Sequence, residues 1–226
     1  MLRAIVFDFD GVIANSEPLH LRTYQTVLAA EGIALSEDDY YSRYLGFDDV
    51  RAFETIARDQ GVAWSRERIV ELIAKKAARM EELERDVSVL FPGAADLIRR
   101  ASRAVPIAIA SGALGAEIRR VLDRERLTSC FAAIVAAEDS PASKPAPDPY
   151  LRALALLRAH GCADLEARDC VAIEDSPWGL QSARGAGLRT VAVAHTYPAS
   201  SLHDADLVVE RVAELSLESL ARLCGD

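Results

Sequence analysis

Residues 4–20 read AIVFDFDGVIANSEPLH, and this stretch decides the fold. Its first four residues, 4–7, are continuously apolar, which is typical of a parallel strand covered on both faces. Asp8 and Asp10 follow directly, separated by one aromatic residue. Burying two ionised carboxylates is costly unless a cation or a proton compensates them. The stretch therefore predicts a buried strand with a charged site at its carboxyl end.

Further apolar runs of the same kind follow along the chain, separated by helical patterns. The runs cover residues 106–110, 132–137, 170–173, 190–194 and 206–209. The helical patterns cover residues 94–103, 116–126, 149–160 and 179–186. Because strands alternate with helices, we predict an α/β fold with a doubly wound, Rossmann-like parallel sheet.

Residues 16–88 break this alternation. They contain no convincing strand pattern and predict four helices, over roughly 17–31, 36–45, 48–60 and 66–85. The residues that mark helix ends and caps are Gly32, Gly46, Gly61, Ser36 and Ser65. We therefore predict an all-helical cap domain over 16–88, inserted into an α/β core formed by 1–15 and 89–226.

The composition limits the partners and the compartment. The chain has 226 residues and a net charge of -9, which argues against DNA or RNA, because such partners need a basic surface. No apolar run is long enough to span a membrane, and Arg3, Asp8 and Asp10 argue against a signal peptide. The four cysteines show no paired spacing, so we expect reduced thiols and a cytoplasmic location.

Four acidic residues stand directly behind two of the predicted strands: Asp8 and Asp10 behind the first, Glu174 and Asp175 behind the run 170–173. Ligands of open parallel sheets gather beyond the carboxyl ends of the strands. If these two strands are neighbours, four carboxylates converge on one crevice and need a counter-ion. A hard, oxygen-seeking divalent cation such as Mg²⁺ fits this set, and it commonly binds substrate phosphate as well.

Two other segments suit phosphate recognition. Ser111, Gly112 and Ala113 lie where a predicted strand turns into a helix, so that a hydroxyl and backbone N–H groups can face an anion. Lys144, within SKPAPDPY, can supply an ammonium group. Together with the carboxylates, these residues predict a phosphoryl-transfer site with a carboxylate nucleophile.

Four segments, taken in order, resemble the four motifs of the haloacid dehalogenase superfamily. They are DFDGVIANSEPLH, the Ser111–Gly112 pair, Lys144 in KPAPDPY, and IEDSPWGLQSARGAG. Their order and spacing, with the helical insertion, resemble the β-phosphoglucomutase-like phosphatases of that superfamily, and the resemblance covers essentially the whole chain. It implies a core with a helical cap that closes over small organic phosphates.

The resemblance also implies roles for the four acidic residues. Asp8 is the expected nucleophile, which forms an aspartyl-phosphate. Asp10 is expected to protonate the leaving oxygen and then to deprotonate the attacking water. Mg²⁺ is expected to bind to Asp8, to the main-chain carbonyl of Asp10 and to Asp175, together with Glu174.

The same resemblance assigns the phosphoryl-binding groups. Ser111 and the N–H groups of Gly112 and Ala113 are expected to hold the phosphoryl group during its transfer. Lys144 is expected to neutralise the charge that develops on it.

The resemblance leaves alternative reactions to weigh. Asp10 favours phosphoester chemistry, since the dehalogenases of the superfamily lack this second aspartate. Phosphonate-cleaving members rely on an early cap lysine, whereas the first lysine here is Lys75. Two alternatives stay open: a β-phosphoglucomutase-type sugar-phosphate mutase, and a non-catalytic phospho-ligand-binding protein, which would have no need of Asp10.

The chain departs from the family pattern at two places. Asn15 stands where the family often has aspartate, and the stretch 46–49 reads GFDD where the mutases carry a phosphate-gripping arginine after a glycine. These acids favour hydrolysis of a smaller or singly phosphorylated substrate. The cap residues that we consider for substrate binding are His20, Arg43, Arg51 and Lys76.

The sequence thus predicts a Mg²⁺-dependent phosphatase that works through an aspartyl-phosphate. Its expected partner is a small phosphorylated metabolite, such as a sugar phosphate or a phosphoglycolate-like ester. We expect a monomer or a weak dimer.

Overall fold

Six strands form the sheet of the larger of the two units into which the chain divides. The computed structural model describes residues 1–45, 47–84 and 88–225. The larger unit comprises Met1–Asn15 and Val89–Asp226, and the smaller unit is Ser16–Ser88. The strands are β1 (Ala4–Phe7), β2 (Ile107–Ala110), β3 (Ala133–Val135), β4 (Cys170–Glu174), β5 (Arg189–Val193) and β6 (Leu207–Val209).

The spatial order of the strands is β3-β2-β1-β4-β5-β6, and all neighbouring pairs are parallel. The chain moves outward from β1 to β3 and then returns to β4 on the other side of β1. The crevice between β1 and β4 is therefore the topological switch point, where open α/β sheets bind their ligands. The predicted doubly wound α/β fold is confirmed.

The α-helices of the described residues lie in both units. They are α1 (Glu17–Ala29), α2 (Glu37–Asp39), α3 (Asp49–Asp59), α4 (Arg66–Glu84), α5 (Ala94–Ala104), α6 (Gly115–Arg124), α7 (Asp148–Ala159), α8 (Pro177–Gly185) and α9 (Leu217–Leu223). Short 3₁₀ turns connect several of them.

Both faces of the central strands β1, β2 and β4 are buried, which explains their uninterrupted apolar runs. Ala108 and Ala110 of β2 belong to a core cluster with Tyr150 of α7, which packs against β2 and β3. The alternate residues of the same strand, Ile107 and Ile109, are fully buried as well. A strand covered on both faces shows no polar alternation.

The smaller unit is helical, and both α1 and α3 pack against α4. Tyr24, Phe53 and Leu72 are buried in the cluster that these helices share. Among the described helices of either unit, none combines the length and hydropathy that a membrane span requires.

The prediction of a single α-helix over 36–45 is wrong in its second half. There α2 is followed by a π-helix, Tyr40–Tyr44. The hydroxyls of its two buried tyrosines both bond to carboxylates: Tyr40 donates to Glu17 at 2.6 Å and Tyr44 to Asp59 at 2.9 Å. The π-helix itself is defined by a backbone bond across five residues, from the Leu45 N–H to the Tyr40 carbonyl at 3.0 Å.

The predicted helix caps at Ser36 and Ser65 are confirmed. Each hydroxyl oxygen accepts the backbone N–H three residues later, from Asp39 at 3.0 Å and from Arg68 at 3.2 Å. Such caps satisfy N–H groups that have no partner within the helix. The predicted helix end at Gly46 and the last residue of the fourth predicted helix lie outside the described residues.

Candidate active site

Three carboxylates meet at the switch point between β1 and β4. Asp8 follows β1 directly and continues its pairing, since its N–H donates to the carbonyl of Ile173 at 2.9 Å. Glu174 is the last residue of β4, and Asp175 follows it. Asp8, Glu174 and Asp175 each offer a carboxylate oxygen, and these oxygens lie within 4.8 Å of one another. All three residues are buried.

Lys144 supplies positive charge to this cluster. Its ammonium nitrogen lies 2.9 Å from Oδ1 of Asp8 and 2.6 Å from Oε1 of Glu174. Only 8% of its side chain is exposed. Although burial lowers the pKa of Lys144, its contacts with Asp8 and Glu174 raise the pKa above its ordinary value. The lysine is therefore held in its charged form.

The carboxylate of Glu174 is enclosed by further donors. Its Oε1 also accepts the hydroxyl of Tyr150 at 2.6 Å, and its Oε2 accepts the hydroxyl of Ser176 at 3.2 Å. A Cβ atom on Gly179, in the first turn of α8, would lie 2.0 Å from Oε2. Glycine at this position thus allows the helix backbone to approach the carboxylate.

The charges at this site remain unbalanced. Burial, followed by the charge of Glu174, raises the pKa of Asp8 well above its ordinary value, even though Lys144 lowers it. Burial and Glu174 also raise the pKa of Asp175 to about 7. One ammonium group therefore compensates only part of the negative charge of three carboxylates, and the site favours an additional cation.

Asp10 stands apart from this set of three. It lies in the turn after β1, is half-buried, and pairs across the turn with Ala14. Its charge raises the pKa of Asp175, although burial and Glu174 raise it more. Of the four acids that we expected to converge, the described structure thus gathers three, and Asp10 occupies a separate position beside them.

Ser111 and its neighbours form a turn beyond the end of β2. The buried Ser111 donates its N–H to the carbonyl of Val135 at 3.0 Å, and its hydroxyl oxygen accepts the N–H of Ala113 at 3.0 Å. Gly112 is exposed, and a Cβ atom added there would meet nothing within 4 Å. The turn leads into α6 at Gly115. Ser111 therefore follows the strand next to β1, at the same edge of the sheet as Asp8.

The structure places two of the predicted cap residues together. Lys76 is buried, and its ammonium nitrogen lies 2.9 Å from Nδ1 of His20 and forms an ion pair with Asp49. It also lies 4.3 Å from the centre of the Tyr24 ring, and the Tyr24 hydroxyl donates to Asp49 at 2.6 Å. The positive charge of Lys76 is thus compensated by Asp49, a residue of the same unit.

The other two cap residues have different surroundings. Arg43 is exposed and pairs with Asp59 at 2.5 Å. The guanidinium of Arg51 stacks on the Phe47 ring at 3.9 Å from its centre. Neither arginine belongs to the group formed by Lys76.

Three residues in contact with the site were not among our sequence predictions. Tyr150 lies within the KPAPDPY motif, yet nothing in that motif points to its bond with Glu174. His195 and Thr196 follow β5, and they contact Gly11 and Asp175 respectively. The acids behind β1 and β4 were predicted because they directly follow an apolar run. His195 and Thr196 directly follow the run 190–194, so the same signal could have identified them.

Comparison with known proteins agrees with this geometry. The chain is 32% identical over 203 residues to Protein CbbY of Rhodobacter capsulatus, covering 87% of each chain. It is 29% identical over 222 residues to Hexitol phosphatase B of Escherichia coli K12, covering 97% of this chain and 93% of the relative. It is also 29% identical over 230 residues to Beta-phosphoglucomutase of Bacillus subtilis, covering 97% and 94%.

One further relative is much longer. The chain spans 20% of the length of Protein SUPPRESSOR OF QUENCHING 1, chloroplastic, of Arabidopsis thaliana, to which it is 29% identical over 226 residues and 96% of its own length.

A solved structure covers both chains almost completely. It is a crystal structure of mutant CbbY from Rhodobacter sphaeroides in complex with xylulose-(1,5)bisphosphate, with a TM-score of 0.82 and 28% identity over 97% of this chain and 99% of that one. Residues 5–193 match the family model described as haloacid dehalogenase-like hydrolase. The predicted class, a hydrolase of this kind with phosphatase relatives, is confirmed. The chain therefore belongs to the haloacid dehalogenase-like hydrolases.

Proposed function

We propose that the chain is a Mg²⁺-dependent phosphatase that hydrolyses a small organic phosphate monoester through an aspartyl-phosphate on Asp8. The observation that carries this proposal is the pairing of Asp8 with the buried Lys144, 2.9 Å away, beside Glu174 and Asp175. A carboxylate that must attack a phosphate dianion needs nearby positive charge to offset the repulsion. Lys144 supplies part of this positive charge, and the neighbouring carboxylates can bind a metal ion that supplies the remainder.

The donor set fits Mg²⁺. This ion prefers carboxylate and carbonyl oxygens, and it usually combines one or two carboxylates with waters and a substrate phosphate. We propose that Asp8, Asp175 and the main-chain carbonyl of Asp10 hold the ion, and that Glu174 adds charge while anchoring Lys144. When bound, Mg²⁺ would neutralise carboxylate charge and draw electron density from a phosphate oxygen.

The proposed reaction begins at Asp8. Its carboxylate oxygen forms a bond to phosphorus as the bond from phosphorus to the ester oxygen breaks, and protonated Asp10 gives its proton to that leaving oxygen. In the second half, Asp10 takes a proton from water, and the water oxygen attacks phosphorus. Inorganic phosphate leaves and the Asp8 carboxylate is restored.

The phosphoryl group needs donors while it is transferred. We propose that the Ser111 hydroxyl and the N–H groups of Gly112 and Ala113 bind its oxygens, since this turn lies at the same sheet edge as Asp8. The Ala113 N–H would then exchange its bond to the Ser111 hydroxyl oxygen for one to the phosphoryl group. Lys144, already 2.9 Å from Asp8, would offset the charge that develops on the same oxygens.

The proposed substrate is a singly phosphorylated sugar or polyol, or a phosphoglycolate-like ester. Relatives named for hexitol phosphatase and β-phosphoglucomutase support sugar-type substrates. Asp48 and Asp49 stand where a mutase has its second phosphate ligand, and both are engaged: Asp48 accepts the N–H of Arg51 at 2.8 Å, and Asp49 pairs with Lys76. These two acids offer no positive charge to a second phosphate group, which favours hydrolysis over mutase chemistry.

Other properties follow from the same proposal. The cysteines all lie in the described residues and are free thiols, which supports a reducing, cytoplasmic setting. We propose a monomer or a weak dimer that acts on small phosphorylated metabolites rather than on nucleic acids or membranes.

Phosphate release tests the proposal directly. The purified chain is assayed on sugar monophosphates, hexitol phosphates, phosphoglycolate, nucleotides and a pentulose bisphosphate, with Mg²⁺ or with chelator. We expect Mg²⁺-dependent release that is abolished in Asp8→Asn and retained in Asp38→Asn, which changes an exposed aspartate. Full activity of Asp8→Asn would refute the nucleophile. Isomerisation of β-glucose 1-phosphate without net phosphate release would show a mutase instead.

A further inference from the structure

The segment that follows β5 reaches across the end of β4 to the turn that carries Asp10. The strand order places β4 between β1 and β5. His195 nevertheless contacts Gly11, which follows β1, with Nδ1 lying 2.9 Å from the Gly11 carbonyl oxygen. The next residue, Thr196, forms a hydrogen bond with the carboxyl group of Asp175. Two consecutive side chains thus contact both loops of the candidate active site.

The chemistry of the partners fixes the direction of the His195 bond. A carbonyl oxygen can only accept, so Nδ1 carries the proton and donates it. The ring is held in this orientation from one side, because it stacks on Phe91 with 3.8 Å between the ring centres and 19° between their planes. The side chain of His195 is therefore a fixed donor directed at one peptide group.

The turn itself is closed by backbone bonds on its other groups. Gly11 donates its N–H to the carbonyl of Ala14 at 2.9 Å, and Ile13 and Ala14 donate theirs to Phe9 at 2.8 and 2.9 Å. Gly11 has a φ of +76°, and a Cβ atom there would lie 1.8 Å from Oδ2 of Asp175. The turn thus lies closely against Asp175, and the Gly11 peptide group that His195 contacts belongs to the residue next to Asp10.

We propose that His195 is a positioning residue that fixes the Asp10–Gly11 turn and so aims the carboxyl group of Asp10 at the leaving oxygen. This inference rests on the proposed function, in which Asp10 acts as the general acid. Misplacing a general acid lowers the rate only where the leaving group needs a proton, because an activated leaving group departs without one. A role limited to stability would lower both rates equally.

Two substitutions separate the donor from the ring. His195→Phe keeps an aromatic ring against Phe91 and removes the N–H donor, whereas His195→Asn keeps a donor at the position of Nδ1 and removes the ring. We measure kcat for the preferred sugar or alkyl phosphate and for p-nitrophenyl phosphate, with Asp10→Asn as the reference for complete loss of the acid.

We expect His195→Phe to lower kcat for the alkyl ester by on the order of tenfold to a hundredfold, and to lower it for p-nitrophenyl phosphate much less. His195→Asn should keep the wild-type ratio of the two rates. Equal losses on both esters, no loss at all, or an Asn variant as impaired as the Phe variant would each overturn the inference.

A second measurement needs no substrate. Hydrogen exchange of the peptide covering residues 8–15 should accelerate in His195→Phe and stay near wild type in His195→Asn, with the rest of the sheet unchanged. Unchanged exchange in both variants would refute the positioning role. If exchange responds while no phosphate ester is hydrolysed even by the wild type, the turn is held as proposed and the phosphatase assignment is at fault.

Discussion

Replacing Lys144 by methionine isolates the contribution of the buried cation to the folded state. The ammonium group lies 2.6 Å from Glu174 and 2.9 Å from Asp8, and the exposed fractions of the three side chains are 8%, 0% and 11%. Methionine fills a similar volume without charge. Removing one partner of a buried pair leaves an uncompensated charge and typically costs about 3–5 kcal/mol. For a chain of this length, that loss lowers Tm by about 10 °C.

The assay is urea unfolding in the presence of chelator, followed by circular dichroism at several pH values. In Lys144→Met, the pKa of Asp8 rises further, because Lys144 lowers it in the wild type. A carboxyl group whose pKa is raised by folding stabilises the folded chain below its unfolded pKa, and this stability is lost as the pH rises through the folded value. The deficit of the variant should therefore grow as the pH rises past the folded pKa that Asp8 has in the wild type.

The control is Lys75→Met, which removes an exposed lysine one residue before the buried one of α4. We expect it to change stability by less than about 0.5 kcal/mol. A double-mutant cycle with Glu174→Gln should show coupling on the order of 1–3 kcal/mol, since the two residues are in direct contact. A loss below about 1 kcal/mol in Lys144→Met at pH 8, without coupling to Glu174, would refute the account of the cluster as a charge-compensated site.

Three other substitutions test contacts and charge states that only the structure reveals. Gly179→Ala places a Cβ atom 2.0 Å from Oε2 of Glu174 and should cost about 1–3 kcal/mol in urea unfolding; a neutral effect would contradict the close approach of α8. Asp175→Asn removes a carboxyl group whose pKa is about 7 in the folded chain and 3.8 ordinarily. Without metal, the proton on Asp175 stabilises the folded wild type below about pH 4, and this stabilisation is lost by about pH 7. The stability of the variant relative to the wild type should therefore rise by up to about 4 kcal/mol over that range, and a pH-independent difference would contradict this account. Lys76→Met leaves Asp49 without its ion pair, and we expect a loss of about 1–3 kcal/mol measured by thermal unfolding, whereas an unchanged Tm would show that the pair contributes nothing.

The strands and the acids behind them could be predicted because their signals are local. A continuous apolar run such as 170–173 reflects burial on both faces, and parallel strands share one edge, so residues behind neighbouring runs must meet. The structure places Glu174 and Asp175 beside Asp8 for this reason. The same logic predicted that Ser111 would lie at that edge.

The bonds that orient these residues could not be predicted, because they join positions far apart in the chain. His195 and Gly11 are 184 positions apart, and only the strand order brings them together. Tyr150 sits within a motif that the sequence singled out, but its hydroxyl could as well have faced the core. In the smaller unit, two tyrosines of the π-helix each donate to a carboxylate on another helix, and no local pattern encodes these bonds.

The two aspartates of the opening motif differ in their surroundings although one residue separates them. Asp8 continues the strand, so its side chain enters the buried cluster beside Lys144. Asp10 lies beyond the strand in a turn bent by Gly11, half-buried and outside the set of three carboxylates. Environment rather than residue type divides the tasks of paired carboxylates in many active sites. A carboxylate held beside a buried cation suits attack on phosphorus, and a half-buried one suits the exchange of protons with the leaving group and with water. This is the division of roles that the proposed mechanism requires.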